Sequence, residues 1–307
     1  MQKLNFPNRV TVELTNRCNI SCTFCHRQVY DMELGEMSVE LFKKIIDEMS
    51  EYQPIKLVPF FRGEPLLHPK FIELMRYAKK KGIGPIQVFS NGLEFNEEIS
   101  EAFIDAEIDF ISFSLDTLDE EIYKQSRISG NLQKSIDNVK YLSNLCKKYK
   151  LKGKAVPQIQ VSTIDIDVYK KGKKDFIEFW RPFVDIVRIY EEHDENGAFV
   201  DPEVSRTMNI FLERKPCRKL FTDMVIYWNG DIALCNYDWN KNVNIGNVNQ
   251  NSLKEIWDSS IYESLRSMHN LGKIDASVMC SKCEHWKADY LENHYLGQSI
   301  KGTLYEE

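Results

Sequence analysis

No stretch of this sequence approaches the roughly 18 uninterrupted apolar residues that a membrane-spanning helix needs, so no helical membrane span is expected. The N-terminus, Met1-Gln2-Lys3-Leu4-Asn5-Phe6-Pro7, has no apolar run of the signal-peptide kind. Positive charge is not in excess: the net charge is −6, which argues against a nucleic-acid partner bound through phosphates. Short basic runs such as Lys79-Lys80-Lys81 and Lys170-Lys171 read as solvated helix ends. Internal repeats and low-complexity tracts are also missing. What is left is ordinary globular material, 43% hydrophobic and 28% charged over 307 residues. That is enough for one large domain, or one domain with a small appendage.

The eight cysteines are grouped rather than scattered. Cys18-x3-Cys22-x2-Cys25 lies near the start, Cys217, Cys235, Cys280 and Cys283 lie in the last third, and Cys146 stands alone. Without an export signal the expected setting is the cytoplasm, where clustered thiols suggest metal or cluster ligation rather than disulfides. Three thiolates on one short loop leave one iron of a [4Fe–4S] cube open to another ligand. Other readings compete on spacing alone. Cys22-Thr23-Phe24-Cys25-His26 fits a c-type haem attachment, which normally follows export. A zinc site using His26 would lack the usual two separated ligand pairs.

Strand-like and helix-like segments alternate through the first two thirds. Strands are expected over 9–14, 55–61, 85–89, 110–115, 159–164 and 186–190. Between them lie helical stripes such as Leu41, Phe42, Ile45, Ile46 and Met49 behind a Ser38 cap, with Gly82 stopping the next helix. Six strands alternating with helices imply parallel βαβ units, closing as a barrel or a doubly wound sheet. A charged break follows near 191–215. Then Asn229-Gly230 marks a hairpin and 252–268 reads as one amphipathic helix.

The cysteine triad, with Phe24 before its last member, resembles the signature of the radical S-adenosylmethionine (SAM) superfamily. Phe61-Arg62-Gly63-Glu64-Pro65, after the second strand, is similar to the Gly-Glu-Pro motif of that superfamily. The resemblance implies that the open iron chelates the amino and carboxylate groups of SAM, and that Gly63, Glu64 and Pro65 hold its amino group. The family pattern often has two glycines, and Arg62 stands in place of the first. The implied fold is α/β, a partial open (βα)6 barrel over 1–195, with a linker over 196–215 and a small α+β domain over 216–307. Asn91, Ser114 and Asp116 end the third and fourth strands where such proteins place SAM contacts, although turn chemistry explains the same residues. Ser162, Arg188 and Tyr190 are further candidates to face cofactor or substrate, and His26 and Arg27 to touch substrate or tune the cluster.

From chemistry alone, the four late cysteines suit structural zinc or a fully ligated cluster. Cys217-x12-Gly230-x4-Cys235, with Cys280-x2-Cys283, resembles the opening of the SPASM extension. The later cysteines of full SPASM domains are absent, so the shortened "twitch" version is the nearer likeness. It implies a second [4Fe–4S] cluster, closed to substrate by its four ligands. Cys146 lies on an apolar helical stripe and reads as core packing rather than a catalytic thiol.

Together these features imply reductive cleavage of SAM, hydrogen abstraction by a 5′-deoxyadenosyl radical, and oxidation of a small polyol, sugar or cyclitol alcohol. The later cluster would accept the electron, as in the twitch dehydrogenases of aminocyclitols. His193, Glu191 and Arg188, at the rim after the sixth strand, are the candidates for assisting deprotonation of the hydroxyl, although charge runs are commonly solvated surface. A flavodoxin- or ferredoxin-like protein would supply electrons. The barrel's early start favours a small substrate over a peptide, leaving peptide modification or epimerisation as the alternative and a non-enzymatic metal-binding module as the remote one.

Overall fold

Six strands run parallel, side by side, in the computed structural model, which describes residues 1–192, 213–276, 278–290 and 297–306. They are β1 (Arg9–Val12), β3 (Lys56–Val58), β4 (Gln87–Ser90), β5 (Phe110–Ser114), β7 (Gln158–Ile164) and β8 (Ile186–Tyr190). Parallel ladders join β1 to β3, β4 to β5, β5 to β7 and β7 to β8. A single bridge, Leu57 to Ile86, carries the order from β3 to β4. Two short strands, β2 (Ser21–Cys22) and β6 (Arg127–Ile128), pair antiparallel apart from this sheet.

The alternation of each strand fixes its two faces. Ile111, Phe113, Ile159, Val161 and Val187 join the main apolar core. That core also takes the stripes of α1 (Val39–Ser50), α2 (Phe71–Lys80), α3 (Glu97–Asp105) and the long α5 (Leu132–Lys150). The residues between them, Ser112, Ser114, Gln160, Ser162 and Arg188, face the other way and line the inside of the curved sheet. Capping is local. The Ser38 hydroxyl accepts the Leu41 N–H at 3.1 Å, and Gly82, at φ +79°, ends α2 in the left-handed region.

Sequence and structure differ in three places. Between the strands expected over 110–115 and 159–164 the helical part is split into α4 (Glu120–Ser126) and α5 by β6, a strand the sequence did not announce, because the Asn131 side chain starts a new helix by accepting the Lys134 N–H. The helix expected over 252–268 is likewise two, Leu253–Trp257 and Ser260–Asn270, with Ser259 capping the second. The C-terminal region is also less separate than expected. Its strand β9 (Asp223–Ile226) pairs parallel with β1, and β10 (Ile232–Ala233) pairs back on β9 around Gly230, at φ +90°. At the other edge β11 (Gly297–Lys301) pairs antiparallel with β8. Of the expected linker, 196–212 lies outside the described residues, as does His193.

Candidate active site

The cysteine loop leaves the C-terminal end of β1 and is held from several sides. Its strand β2 pairs with β6, so Cys22 sits opposite Arg127, and the Thr23 N–H donates to the Ser126 carbonyl at 2.9 Å. The Arg127 guanidinium lies 5.5 Å from the Phe24 ring centre and donates through Nε to Asp116 Oδ2 at 2.6 Å, with Nη2 at 2.5 Å. Both side chains of this ion pair are buried. Asp116, expected as a SAM contact, thus has its carboxylate paired with the arginine behind Cys22. Its backbone is left-handed at φ +62°, a conformation Asp tolerates better than most residues. Nothing in the sequence marked Arg127 beyond the helix-breaking Ser129-Gly130 that follows it.

The turn after β3 packs directly beneath this loop. A Cβ on Gly63 would lie 2.4 Å from the carbonyl oxygens of Thr15 and Arg17, so only glycine fits. Glu64 is 2% exposed. Its carboxylate accepts the Asn91 N–H at 2.8 Å and, more weakly, the Leu66 N–H at 3.4 Å, which caps the short 3-10 turn begun by Pro65. Burial pushes the Glu64 carboxyl up to about 7, against the opposing pull of those donors. Asn91 reaches the cysteine loop with its side chain, donating to Asn19 Oδ1 at 2.7 Å and lying 4.0 Å from Cys18 Sγ. The structure therefore brings Gly63, Glu64, Pro65 and Asn91 together beside the three cysteines.

Arg62 does something the glycine of the family pattern cannot. It forms a two-pronged buried ion pair with Glu13, at 2.7 and 2.8 Å, and donates to the Trp239 carbonyl at 2.9 Å. It also lies over the Tyr227 ring at 4.2 Å. Trp239 in turn approaches His26, beside Cys25, with ring centres 5.4 Å apart. Among the described residues, the C-terminal region therefore touches both the cysteine loop and the Gly63 turn.

Further along the inner face, Ser114, Ser162, Arg188 and Ser299 are direct partners across β5, β7, β8 and β11. Arg188 is 8% exposed and donates to Ser299 Oγ at 2.6 Å. Ser299 could not be found from the sequence, because the strand that carries it was not expected. Glu191 follows β8 and is half-buried. Cys146 is fully buried on α5, with its thiol pushed up to about 12 by burial.

Burial raises the thiols of Cys18, Cys22 and Cys25, that of Cys22 to about 12, and each is raised further by at least one other or opposed by Arg127. The later group behaves in the same way. Burial pushes Cys217 and Cys280 up to about 12 and raises Cys235 well above its usual value, with mutual repulsion among these three and Cys283 adding to it. Buried thiols this close favour a group that binds them as thiolates. Among the described residues, no three His, Cys, Asp or Glu side chains close around a single ion. Thiolates are also the ligands that an iron–sulfur cube takes, so both groups are suited to hold one. His269 completes the later site. It is 1% exposed, its Nδ1 accepts the Cys217 N–H at 3.2 Å, and burial, then the Arg214 charge, lower it to about 4.

The sequence model of the radical SAM superfamily matches residues 12–153, and that of the SPASM iron–sulfur cluster-binding domain matches residues 217–284. The chain belongs to the radical SAM superfamily and carries a SPASM-type domain. This membership implies a [4Fe–4S] cluster and SAM. A cofactor-modifying protein for tungsten-containing aldehyde ferredoxin oxidoreductase from Pyrococcus furiosus is 33% identical over 108 residues, 35% of this chain and 30% of that protein. A probable GTP 3',8-cyclase from Methanocaldococcus jannaschii is 27% identical over 180 residues, 59% of this chain and 57% of that protein. The match thus spans less than two thirds of either relative's length. Among solved structures, BtrN in complex with AdoMet and 2-DOIA superposes with a TM-score of 0.58 at 16% identity, covering 94% of this chain and 93% of that one. SuiB from Streptococcus suis, bound to S-adenosylmethionine, gives a TM-score of 0.69 at 15% identity, covering 93% and 72%. At such identities the fold is what is shared, and it is the partial barrel with a small C-terminal domain. No helix among the described residues is long and apolar enough to cross a membrane.

Proposed function

We propose that this radical SAM enzyme oxidises an alcohol of a small polyol, sugar or cyclitol, with Cys217, Cys235, Cys280 and Cys283 holding a second [4Fe–4S] cluster. Turning an alcohol into a carbonyl removes a hydrogen atom from carbon, a proton from oxygen and one electron. When bound, SAM with its cluster supplies the hydrogen-atom acceptor and the second cluster the electron acceptor, which leaves the proton and the positioning to the chain. Gly63, Glu64, Pro65 and Asn91 are suited to hold SAM beside Cys18, Cys22 and Cys25.

The observation that carries the substrate class is the polar ladder Ser114–Ser162–Arg188–Ser299 across the inner face. Three serines in register with one buried arginine offer donors and acceptors in number, which suits a compact, hydroxyl-rich molecule better than an apolar one. Arg188 orients a substrate oxygen and favours its deprotonated form. Glu191, at the end of β8, and His193 two residues on are the proposed proton acceptors. A flavodoxin- or ferredoxin-like protein is the proposed electron donor.

Anaerobic reconstitution should give roughly eight irons per chain, four for each cube. Turnover with candidate polyols should then yield 5′-deoxyadenosine and a product lighter by two hydrogens in equal amounts. Solvent deuterium appearing on the reacting carbon, without that mass loss, would mean epimerisation and defeat the oxidation reading. Peptide substrates turned over where every polyol fails would move the substrate class.

A further inference from the structure

Two buried donors beside the late cysteines have no acceptor among the described residues. Arg214 is held by Nη1, which donates to the Cys283 carbonyl at 3.1 Å, and by the Trp286 ring, 5.1 Å from its guanidinium. Its Nε is buried and makes no hydrogen bond among the described residues. The guanidinium lies within electrostatic reach of Cys283, Cys280 and Cys217. On the helix Ser260–Asn270, His269 accepts the Cys217 N–H through Nδ1, so the ring is neutral and its one hydrogen sits on Nε2. That Nε2 is also buried without a partner. Buried N–H groups of native proteins nearly always find an acceptor, and here both orphans belong to side chains hydrogen-bonded to the backbone of cysteines in one four-thiol group.

We propose that Arg214 and His269 donate hydrogen bonds to the sulfur of the auxiliary cluster, and that the fixed charge of Arg214 raises its reduction potential. The inference rests on reading Cys217, Cys235, Cys280 and Cys283 as cluster ligands. A four-thiolate cube is anionic and gains one further negative charge when it takes an electron. A guanidinium and two N–H dipoles stabilise the reduced form more than the oxidised one. Leucine or glutamine in these places would leave the cluster a poorer acceptor. Arg214 and His269 are therefore positioning and tuning residues that need not touch the substrate.

The test is a potentiometric titration of the reconstituted holoenzyme followed by electron paramagnetic resonance. The auxiliary signal is the one that SAM leaves unchanged. In Arg214→Gln, reduction of that cluster should become at least tenfold less favourable, about 59 mV more negative for one electron. Arg214→Lys, which keeps the charge, should show less than half that shift, and His269→Phe should shift the potential in the same direction. The signal that responds to SAM should keep its parental potential in all three. An unmoved auxiliary potential in Arg214→Gln, with roughly eight irons retained, overturns the proposal. So does a fall to roughly four irons in that variant, which would make Arg214 a residue that holds the cluster rather than tunes it. Roughly four irons in the parent protein is a different failure, since it removes the cluster reading beneath the proposal.

Discussion

Glu64 should make the stability of this protein depend on pH in a direction opposite to that of an ordinary paired carboxylate. Its carboxyl is buried, and burial outweighs the donors from Asn91 and Leu66, moving it from 4.5 to about 7. Between those values the folded chain keeps the proton and the unfolded chain gives it up. The folded state is thus favoured most below pH 4.5, and stability falls as pH rises towards 7. At about 1.36 kcal/mol per unit, the whole window is worth about 3 kcal/mol, of which ~2 kcal/mol falls between pH 5.5 and 8. Glu64→Gln cannot ionise, and its amide oxygen can still accept the Asn91 N–H. Urea unfolding of the cluster-free parent and variant across this range, under reducing anaerobic conditions, isolates the effect because every other titration is common to both. The variant should gain on the parent by about 2 kcal/mol from pH 5.5 to 8. A gap that stays constant with pH would refute the claim that Glu64 is desolvated in the folded chain.

Arg127→Met should strand Asp116 as a buried, unpaired charge and cost about 3–5 kcal/mol in urea unfolding. Adding Asp116→Asn should recover much of that loss, and a double variant no better than the sum of the singles would count against the pair. Gly63→Ala drives a Cβ to 2.4 Å from two backbone carbonyls that cannot rotate away. It should lose about 1–3 kcal/mol together with most SAM binding, read by equilibrium dialysis of the loaded protein. Cys146→Ala should cost about 1–2 kcal/mol through the small cavity it leaves and leave turnover unaltered. Lost turnover with the fold intact would reopen a catalytic role for that thiol.

What could be read from the sequence were features whose residues lie close together. Three thiols on one loop, a glycine–acid–proline turn and six alternating strand–helix units each announce themselves within a short window. The pairs that hold the site in shape do not. Asp116 and Arg127 are separated by 11 positions across a helix, Glu13 and Arg62 by 49, and Arg188 and Ser299 by 111. No periodicity links such residues, and a buried arginine looks in sequence like any solvated one. Asp116 illustrates the consequence. It follows the end of a strand, but the partner that occupies its carboxylate comes from β6, a short strand that the sequence did not announce. β11 was missed because it pairs with β8 from the far end of the chain, and with it went the hydroxyl that faces Arg188.

The two edges of the six-stranded sheet explain why the C-terminal region is more than an appendage. A partial barrel leaves β1 and β8 with unpaired backbone groups, and open edges of this kind must be covered or blunted. Here β9 takes the β1 edge and β11 takes the β8 edge. The SPASM-type segment is thereby built onto the strand that leads into the cysteine loop. Arg62 strengthens the same junction, since one guanidinium binds Glu13 at the end of β1 and the Trp239 carbonyl beyond Cys235. A glycine at that position would allow a closer backbone approach but could make neither contact. The arginine therefore exchanges backbone proximity for a buried link between the SAM-side turn and the C-terminal domain. With Trp239 also resting against His26, the loops that carry the two cysteine groups are tied through side chains as well as through the sheet. For an enzyme proposed to pass an electron towards the second group, a spacing set by such contacts is a structural requirement, and in this chain Arg62 helps to meet it.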